Sequence, residues 1–185
     1  MTSLPDISEF PKLSLQEWQE WFVRAATLVL SKTPDDGVTI FYQSDIKRDG
    51  VWVDKGYLCQ KAAEALGQHL LAHKVVCRAP IGTLSGGRPT YSHLVCFSKT
   101  IPSEISKPVV DVLADAGEVT WKRGMGDKAC RLAVDLVKTY SSSHTIVDPF
   151  CGHGSVLAIA NEMGMDAIGV DLNLKNTKIA KELNF

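Results

Sequence analysis

No segment of this sequence approaches about 18 uninterrupted apolar residues, and its opening, MTSLPDISEFPKLS, lacks the basic start and apolar run of a targeting peptide. The chain is therefore expected to be soluble and cytoplasmic, with no membrane partner. An excess of either charge is lacking too. Lys and Arg number 20 against 21 Asp and Glu, a formal net charge of −1, so no global basic field draws the chain toward nucleic acid. Any such binding must be local. Paired cysteines are absent: Cys59, Cys77, Cys96, Cys130 and Cys151 stand singly and are odd in number. That excludes a disulfide framework and points to reduced thiols. No Cys/His cluster has ligand spacing, so no metal is expected. Repeats and low-complexity tracts are missing as well.

What is present suits one globular domain with one sizeable core: 185 residues, 45% of them hydrophobic. The capping box Ser14–Glu17 opens an amphipathic helix over Leu15–Leu30, with Trp18, Phe22, Ala26 and Val29 at spacings of three and four. Val38–Ser44 is β-branched and aromatic without helical period, and reads as a strand. After a polar loop, DIKRDGVWVDKG, the pattern predicts a helix over Tyr57–Ala72, with Leu58, Ala62, Leu66 and Leu70 inward. Two strands, Lys74–Ala79 and Ser92–Ser98, flank the loop PIGTLSGGRPTY, and Lys99–Glu118 reads as connector. The last third alternates helix Gly126–Tyr140, strand Thr145–Phe150, helix Ser155–Met163, strand Asp166–Leu172 and helix Leu174–Leu183. Such alternation means a mostly parallel sheet with right-handed crossovers, an α/β fold.

The turn DPFCGHGS is the chemically informative stretch. A strand, glycines at 152 and 154, and a helix beginning at once let main-chain amides approach an anionic or zwitterionic ligand without side-chain obstruction. Asp171 stands 17 residues after Gly154, at the end of the next strand, where a carboxylate accepts hydrogen bonds from a ribose diol. Turn and carboxylate together imply an adenosine-containing ligand. The dinucleotide pattern G-x-G-x-x-G would need glycine where Leu157 stands, which weighs against a nicotinamide or flavin cofactor.

DPFCGHGSV…GVDLN resembles the cofactor motifs of class I S-adenosylmethionine-dependent methyltransferases, in particular the circularly permuted amino-methyltransferase group that contains many DNA and RNA base methylases. In that group the glycine strand comes after the catalytic half. The resemblance implies a Rossmann-like methyltransferase fold in permuted order, with an antiparallel hairpin at the sheet edge and a cofactor unit at the C-terminus. It implies a substrate and catalytic half over 1–99, a connector over 100–120 and a cofactor half over 121–185. S-adenosyl-L-methionine is then the cofactor: Asp148 meets its methionine amino group, Pro149, Phe150, Cys151, Gly152 and Gly154 form the turn around the methionyl part, and Asp171 and Leu172 hold the adenosine side. The family's catalytic tetrad, [D/N/S]-P-P-[Y/F/W], corresponds to SLPD, so Ser3, Pro5 and Asp6 are the implied catalytic residues. Leu4 replaces a proline and Asp6 the aromatic that stacks on a base. Phe10 is the residue that would supply stacking instead.

Methyl transfer from a sulfonium has a neutral leaving group, so the protein mainly aligns a lone pair with the methyl carbon. His153 needs no role as a base, and His93 and His144 read as structural or surface residues. Lys47, Arg48 and Arg88 lie in loops that also carry Lys55, Arg78, Lys122 and Arg123 with Trp52 and Trp121 interleaved, a composition suited to phosphate contacts and base stacking; acidic residues interrupt it. A nucleic-acid methyltransferase is the leading expectation, beside a small-molecule or protein methyltransferase and a non-catalytic cofactor-binding subunit. In the family a central strand precedes the tetrad, whereas here two residues precede Ser3. Either the chain is a shortened form of a longer protein, or Thr2–Leu4 or a partner chain, a homodimer among the options, completes the sheet.

Overall fold

Two strand systems meet at the first residues of the chain. The computed structural model describes residues 1–103, 108–122 and 124–185. In order these form a 3-10 turn (Ile7–Glu9), α1 (Leu15–Lys32), β1 (Thr39–Gln43), β2 (Ile46–Arg48), β3 (Val51–Val53), α2 (Lys55–Glu64), β4 (His69–Cys77) and β5 (Tyr91–Ser98), then β6 (Val112–Leu113), α3 (Asp127–Tyr140), β7 (Thr145–Asp148), α4 (Ser155–Glu162), β8 (Asp166–Gly169) and α5 (Leu174–Glu182). One sheet runs β1-β5-β4-β6, with β5 antiparallel to both neighbours and β6 parallel to β4. The other pairs β7 and β8 in parallel, Thr145 opposite Asp166 and Asp148 opposite Gly169.

Thr2 joins them. It forms a parallel bridge with Phe41: its N–H donates to the Ile40 carbonyl (2.9 Å) and its carbonyl accepts from the Tyr42 N–H (3.0 Å). The Met1 ammonium donates to the Val147 carbonyl (2.9 Å), and the Thr2 hydroxyl donates to Asp148 Oδ1 (2.6 Å). At the place of the expected central strand, the chain supplies a single bridging residue, Thr2. On the amino-terminal side of this bridge, Val38, Thr39 and Thr145–Val147 face an apolar cavity of about 670 Å³ that α1 covers with Ala25, Leu28 and Val29.

Helices pack on both faces of the strands. Along β1, Ile40 and Tyr42 turn toward α3 and α4, joining Leu94, Cys96, Ala133, Leu136 and Ile159. Phe41 turns the other way and packs with Val95, Phe97, Trp18, Phe22 and Leu30 of α1 and Leu58 and Cys59 of α2. This is the period of two in a strand sorting side chains between two cores. The α1 capping box forms as the sequence dictates: Ser14 Oγ accepts from the Glu17 N–H (3.2 Å), and the Ser14 N–H donates to Glu17 Oε2 (2.8 Å). Trp18, Phe22, Ala26 and Leu30, one per turn, are all fully buried.

Four expectations are corrected. The sheet, expected to be mostly parallel, is mixed: β5 runs antiparallel to β1 and β4, while β4-β6 and β7-β8 pair in parallel. The second helix, expected to run through Ala72, stops at Glu64, and β4 starts at His69. Gly67 at φ +64 donates to the Glu64 carbonyl while the Gln68 N–H returns to Ala63, a left-handed helix stop, and Leu66 and Leu70 are each 40% exposed rather than inward. The polar loop after β1 is a hairpin, β2-β3, closed by Asp49 (φ +51) and Gly50 (φ +81), the Asp-Gly pair that a two-residue turn with both residues left-handed requires. In the connector, β6 pairs with β4 beyond the β4-β5 hairpin, so that hairpin is not the sheet's last element; residues 104–107 lie outside the described residues. No described helix is long and apolar enough to cross a membrane.

A polar network anchors the β2-β3 hairpin to the sheet. Asp45, 2% exposed, accepts the Lys55 N–H (2.9 Å), the Trp52 indole N–H (3.3 Å) and His93 Nε2 (2.9 Å). His93 Nδ1 meets His73 Nε2 at 2.9 Å, and Asp54, the N-cap of α2, lies 3.8 Å from His93. The fold thereby gathers Asp45, Asp54 and His93 within 4.8 Å of one another, a juxtaposition invisible in sequence, with each carboxylate already accepting protein N–H groups. Burial pulls the His93 pKa down, but the Asp45 hydrogen bond and the Asp45 and Asp54 charges outweigh it and raise it. His73, lowered by burial and by His93, is shifted the opposite way. A raised histidine stabilises the fold fully below its ordinary pKa and loses that contribution as pH rises through its folded value; a depressed one does the reverse. Denaturation midpoints measured from pH 6 upward should therefore fall more steeply with pH in His73→Gln than in the parent, and His93→Gln should remove the fall. Thr2→Val, which strips the hydroxyl from buried Asp148, should cost about 1–3 kcal/mol of stability by urea titration.

Candidate functional site

The glycine turn is built where the carboxyl end of β7 meets the amino end of α4. Asp148, 5% exposed, ends the strand, and its Oδ1 takes both the Thr2 hydroxyl (2.6 Å) and the Phe150 N–H (3.1 Å). Burial drives its carboxyl pKa up, against the pull of the Met1 ammonium and of these two bonds. The chain then passes through Gly152 (φ +53) and Gly154 (φ +81), a backbone shape that side-chain-bearing residues rarely adopt. Gly154 is also the N-cap of α4 and offers no side chain to its amides, so the first-turn N–H groups of that helix are left for another acceptor. A Cβ at Gly154 would stand 2.7 Å from the Ala180 Cβ of α5, which closes the outer side of the turn.

Asp171 lies just past the carboxyl end of β8 and reaches back to the same turn. Its Oδ2 accepts the Gly152 N–H (3.0 Å), and its Oδ1 accepts the Asn173 N–H (2.8 Å) and the Asn176 side-chain amide (3.1 Å). The carboxylate is thus held in place on the rim of the turn, beside fully exposed Leu172. Cys151 is buried within the turn, its thiol pushed up to about 11 chiefly by burial, so it is no nucleophile at neutral pH.

Ser3, Asp148, Phe150, Cys151 and Gly152 line one small cavity of about 60 Å³ with Met1, Trp121, Gly124, Met125, Ser155 and Val156. Residues 146 positions apart in sequence are brought together there by the Thr2–Asp148 bond. Ser3 is exposed to this space. Its neighbours in the SLPD stretch are differently employed. The Pro5 carbonyl accepts the Trp18 indole N–H (3.4 Å), and Asp6 caps the 3-10 turn, Oδ1 to the Ser8 N–H (3.0 Å), while Oδ2 lies 3.4 Å from Lys55 Nζ. Burial alone would raise the Asp6 pKa; the Ser8 bonds and the Lys55 charge hold it below its ordinary value. Lys55, 4% exposed, is depressed by burial and partly restored by Asp6. Phe10 packs its ring on Trp21, centroids 4.4 Å apart. Of the basic residues, Lys47 and Arg48 are exposed on β2, and Arg88 is exposed in the β4-β5 loop, close enough to Asp6 to lower its pKa. Arg123 lies outside the described residues.

Sequence reasoning missed Thr2 as a partner of Asp148 and Lys55 as a partner of Asp6; Trp121, expected in a loop suited to base stacking, forms a wall of the cavity. Trp121 stacks on His153 with ring centroids 4.4 Å apart at 20°, and a Cβ on Gly152 would meet its indole at 2.8 Å. The tryptophan itself was visible among the basic loops; its place against the glycine turn was not. At the carboxyl end of β1, Gln43 is 1% exposed and, among the described residues, neither of its side-chain amide atoms has a partner.

Residues 125–182 match a family model described as DNA methylase. No curated protein matches the chain. Among solved structures, TTHA0409 from Thermus thermophilus, described as a putative DNA modification methylase and solved with S-adenosyl-L-methionine, is similar at a TM-score of 0.68 and 19% identity, covering 98% of this chain and 82% of that one. The PvuII DNA methyltransferase, cytosine-N4-specific, gives a TM-score of 0.74 at 15% identity over 98% of this chain and 77% of its own. The complex of M1.HpyAVI with S-adenosylmethionine gives 0.58 at 12% identity over 98% and 84%. Identities this low speak for the fold, and the mixed sheet covered by helices is that of these proteins. The chain has the α/β fold of class I methyltransferases, and its segment 125–182 matches the DNA methylase family.

Proposed function

We propose that this protein is an S-adenosylmethionine-dependent DNA methyltransferase that transfers a methyl group to an amino group of a base by direct displacement. The DNA methylase match over residues 125–182, which spans the glycine turn and Asp171, carries this reading. The donor set fits the cofactor: an uncapped helix N-terminus for a carboxylate, a buried acid in Asp148 for an ammonium, and a rim carboxylate in Asp171 for a ribose diol. Pro149, Phe150 and Cys151 shape the turn, and Leu172 offers an apolar face to the adenine.

When bound, S-adenosylmethionine supplies a methyl carbon activated by a positively charged sulfur. The chain's part is alignment. Ser3, which lines the cavity beside the turn, and the carbonyl of the residue after it accept hydrogen bonds from the acceptor amine and turn its lone pair toward that carbon. Pro5 and Asp6 shape this loop, Asp6 through its cap and its Lys55 pair. Lys47, Arg48 and Arg88 hold phosphates, a local attraction on a chain of net charge −1. In this reading the order is permuted, with the substrate half over 1–99, a connector over 100–120 and the cofactor half over 121–185. A partner chain or a second copy that extends the Thr2 segment between β1 and β7 belongs to the same reading.

A non-catalytic cofactor-binding subunit is the second reading, favoured by Leu4 and by the engagement of Asp6 in a cap and an ion pair. Labelled methyl transfer from S-adenosylmethionine into DNA separates the two. The expected result is salt-sensitive incorporation that Ser3→Ala reduces strongly; binding of cofactor with no incorporation and no salt-dependent affinity for DNA would sink the methyltransferase reading. In calorimetry, Asp171→Ala should weaken S-adenosylmethionine binding by roughly 1.5–3 kcal/mol, the scale of a charge-assisted hydrogen bond, and an unchanged affinity would remove Asp171 from the site.

A further inference from the structure

Resting on the methyltransferase reading, we propose that Trp121 is the stacking platform for the acceptor base, and that His153 holds the place of that base while the site is empty of substrate.

A flat heteroaromatic acceptor needs a flat surface beside it, because its amine lone pair must be held in line with the methyl carbon and a single hydrogen-bonded edge leaves the ring free to tilt. The SLPD loop has none to offer. Asp6 is spent on Ser8 and Lys55, and the Phe10 ring lies on Trp21. Trp18 is fully buried, and the Trp52 indole donates to Asp45. Trp121 is the tryptophan that lines the same cavity as Ser3, Asp148 and Gly152. It therefore stands where the acceptor side and the cofactor side of the site meet.

Its surroundings already accommodate a planar ring. Gly124 and Gly152 flank the indole, and a Cβ on either would come within 2.7 or 2.8 Å of it. The ring already holds a planar nitrogen heterocycle, the His153 imidazole, at 4.4 Å and 20°. Among the described contacts His153 has this stack and no hydrogen bond, and it sits between Gly152 and Gly154, both at positive φ. An imidazole held by stacking alone exchanges readily for a larger base, since every base presents a π-face. The cavity of about 60 Å³ is far below the roughly 300 Å³ that ligand sites occupy, so substrate entry requires its walls, Trp121 among them, to part.

The test uses the full chain with S-adenosylhomocysteine and a random-sequence single-stranded DNA pool in which adenine is partly replaced by fluorescent 2-aminopurine. Trp121→Ala is expected to keep its S-adenosylhomocysteine Kd within about twofold while raising the DNA Kd roughly 5- to 150-fold and abolishing the quenching of 2-aminopurine; Trp121→Phe should restore most of both. His153→Ala should bind the pool as tightly as the parent or more tightly. The proposal is overturned if Trp121→Ala loses S-adenosylhomocysteine affinity with DNA binding unchanged, which would make the indole a cofactor contact. It is equally overturned if His153→Ala weakens DNA binding as much as Trp121→Ala does, or if neither variant changes either ligand. Parent protein that binds S-adenosylhomocysteine but not DNA would instead overturn the methyltransferase reading itself.

Discussion

The structure hangs on the hydrogen bonds of Thr2. Its backbone ties the segment to β1, its hydroxyl holds the buried carboxylate of Asp148, and its neighbour Met1 reaches β7. A parallel sheet cannot leave a gap between two strands without stranding their peptide groups, and at this place one residue of bridge does what a whole strand usually does. The consequence is local: strands held together at one end and parted at the other, with an apolar cavity of about 670 Å³ where they part.

The same bonds bring chemistry to the carboxyl ends of the strands, where open α/β sheets place their ligands. Asp148 and Ser3 come from distant parts of the sequence, and Asp171 reaches the turn from the next strand. Asp148 and Asp171 are each held by backbone N–H groups together with one side-chain donor, the Thr2 hydroxyl and the Asn176 amide. Charge plays a smaller part, because the carboxylates at the site are already tied to N–H and hydroxyl donors.

Asp6 illustrates how one substitution redistributes roles. Its carboxylate makes a cap and a partner for buried Lys55. Lys55 in turn donates its N–H to Asp45, which anchors His93 and the β2-β3 hairpin. The loop is therefore stiffened from beneath.

Much of this was legible in the sequence wherever the signal was local. The capping box and four-residue spacing of α1, the β-branched run of β1 and the strand-glycine-helix order around Gly152 and Gly154 each follow from forces acting over a few residues. Local signals also existed where they were overlooked: Gly67 as a helix stop and Asp49-Gly50 as a hairpin turn. What the sequence by itself determined is the α/β alternation and the glycine turn, because backbone geometry and hydrophobic period are encoded by near neighbours. The tertiary structure alone decided that Thr2 meets Asp148, that His93 falls between Asp45 and His73, and that Trp121 lies against the turn. Those pairings join residues far apart in the chain, and their energies come from burial and hydrogen bonding that exist only once the layers have packed.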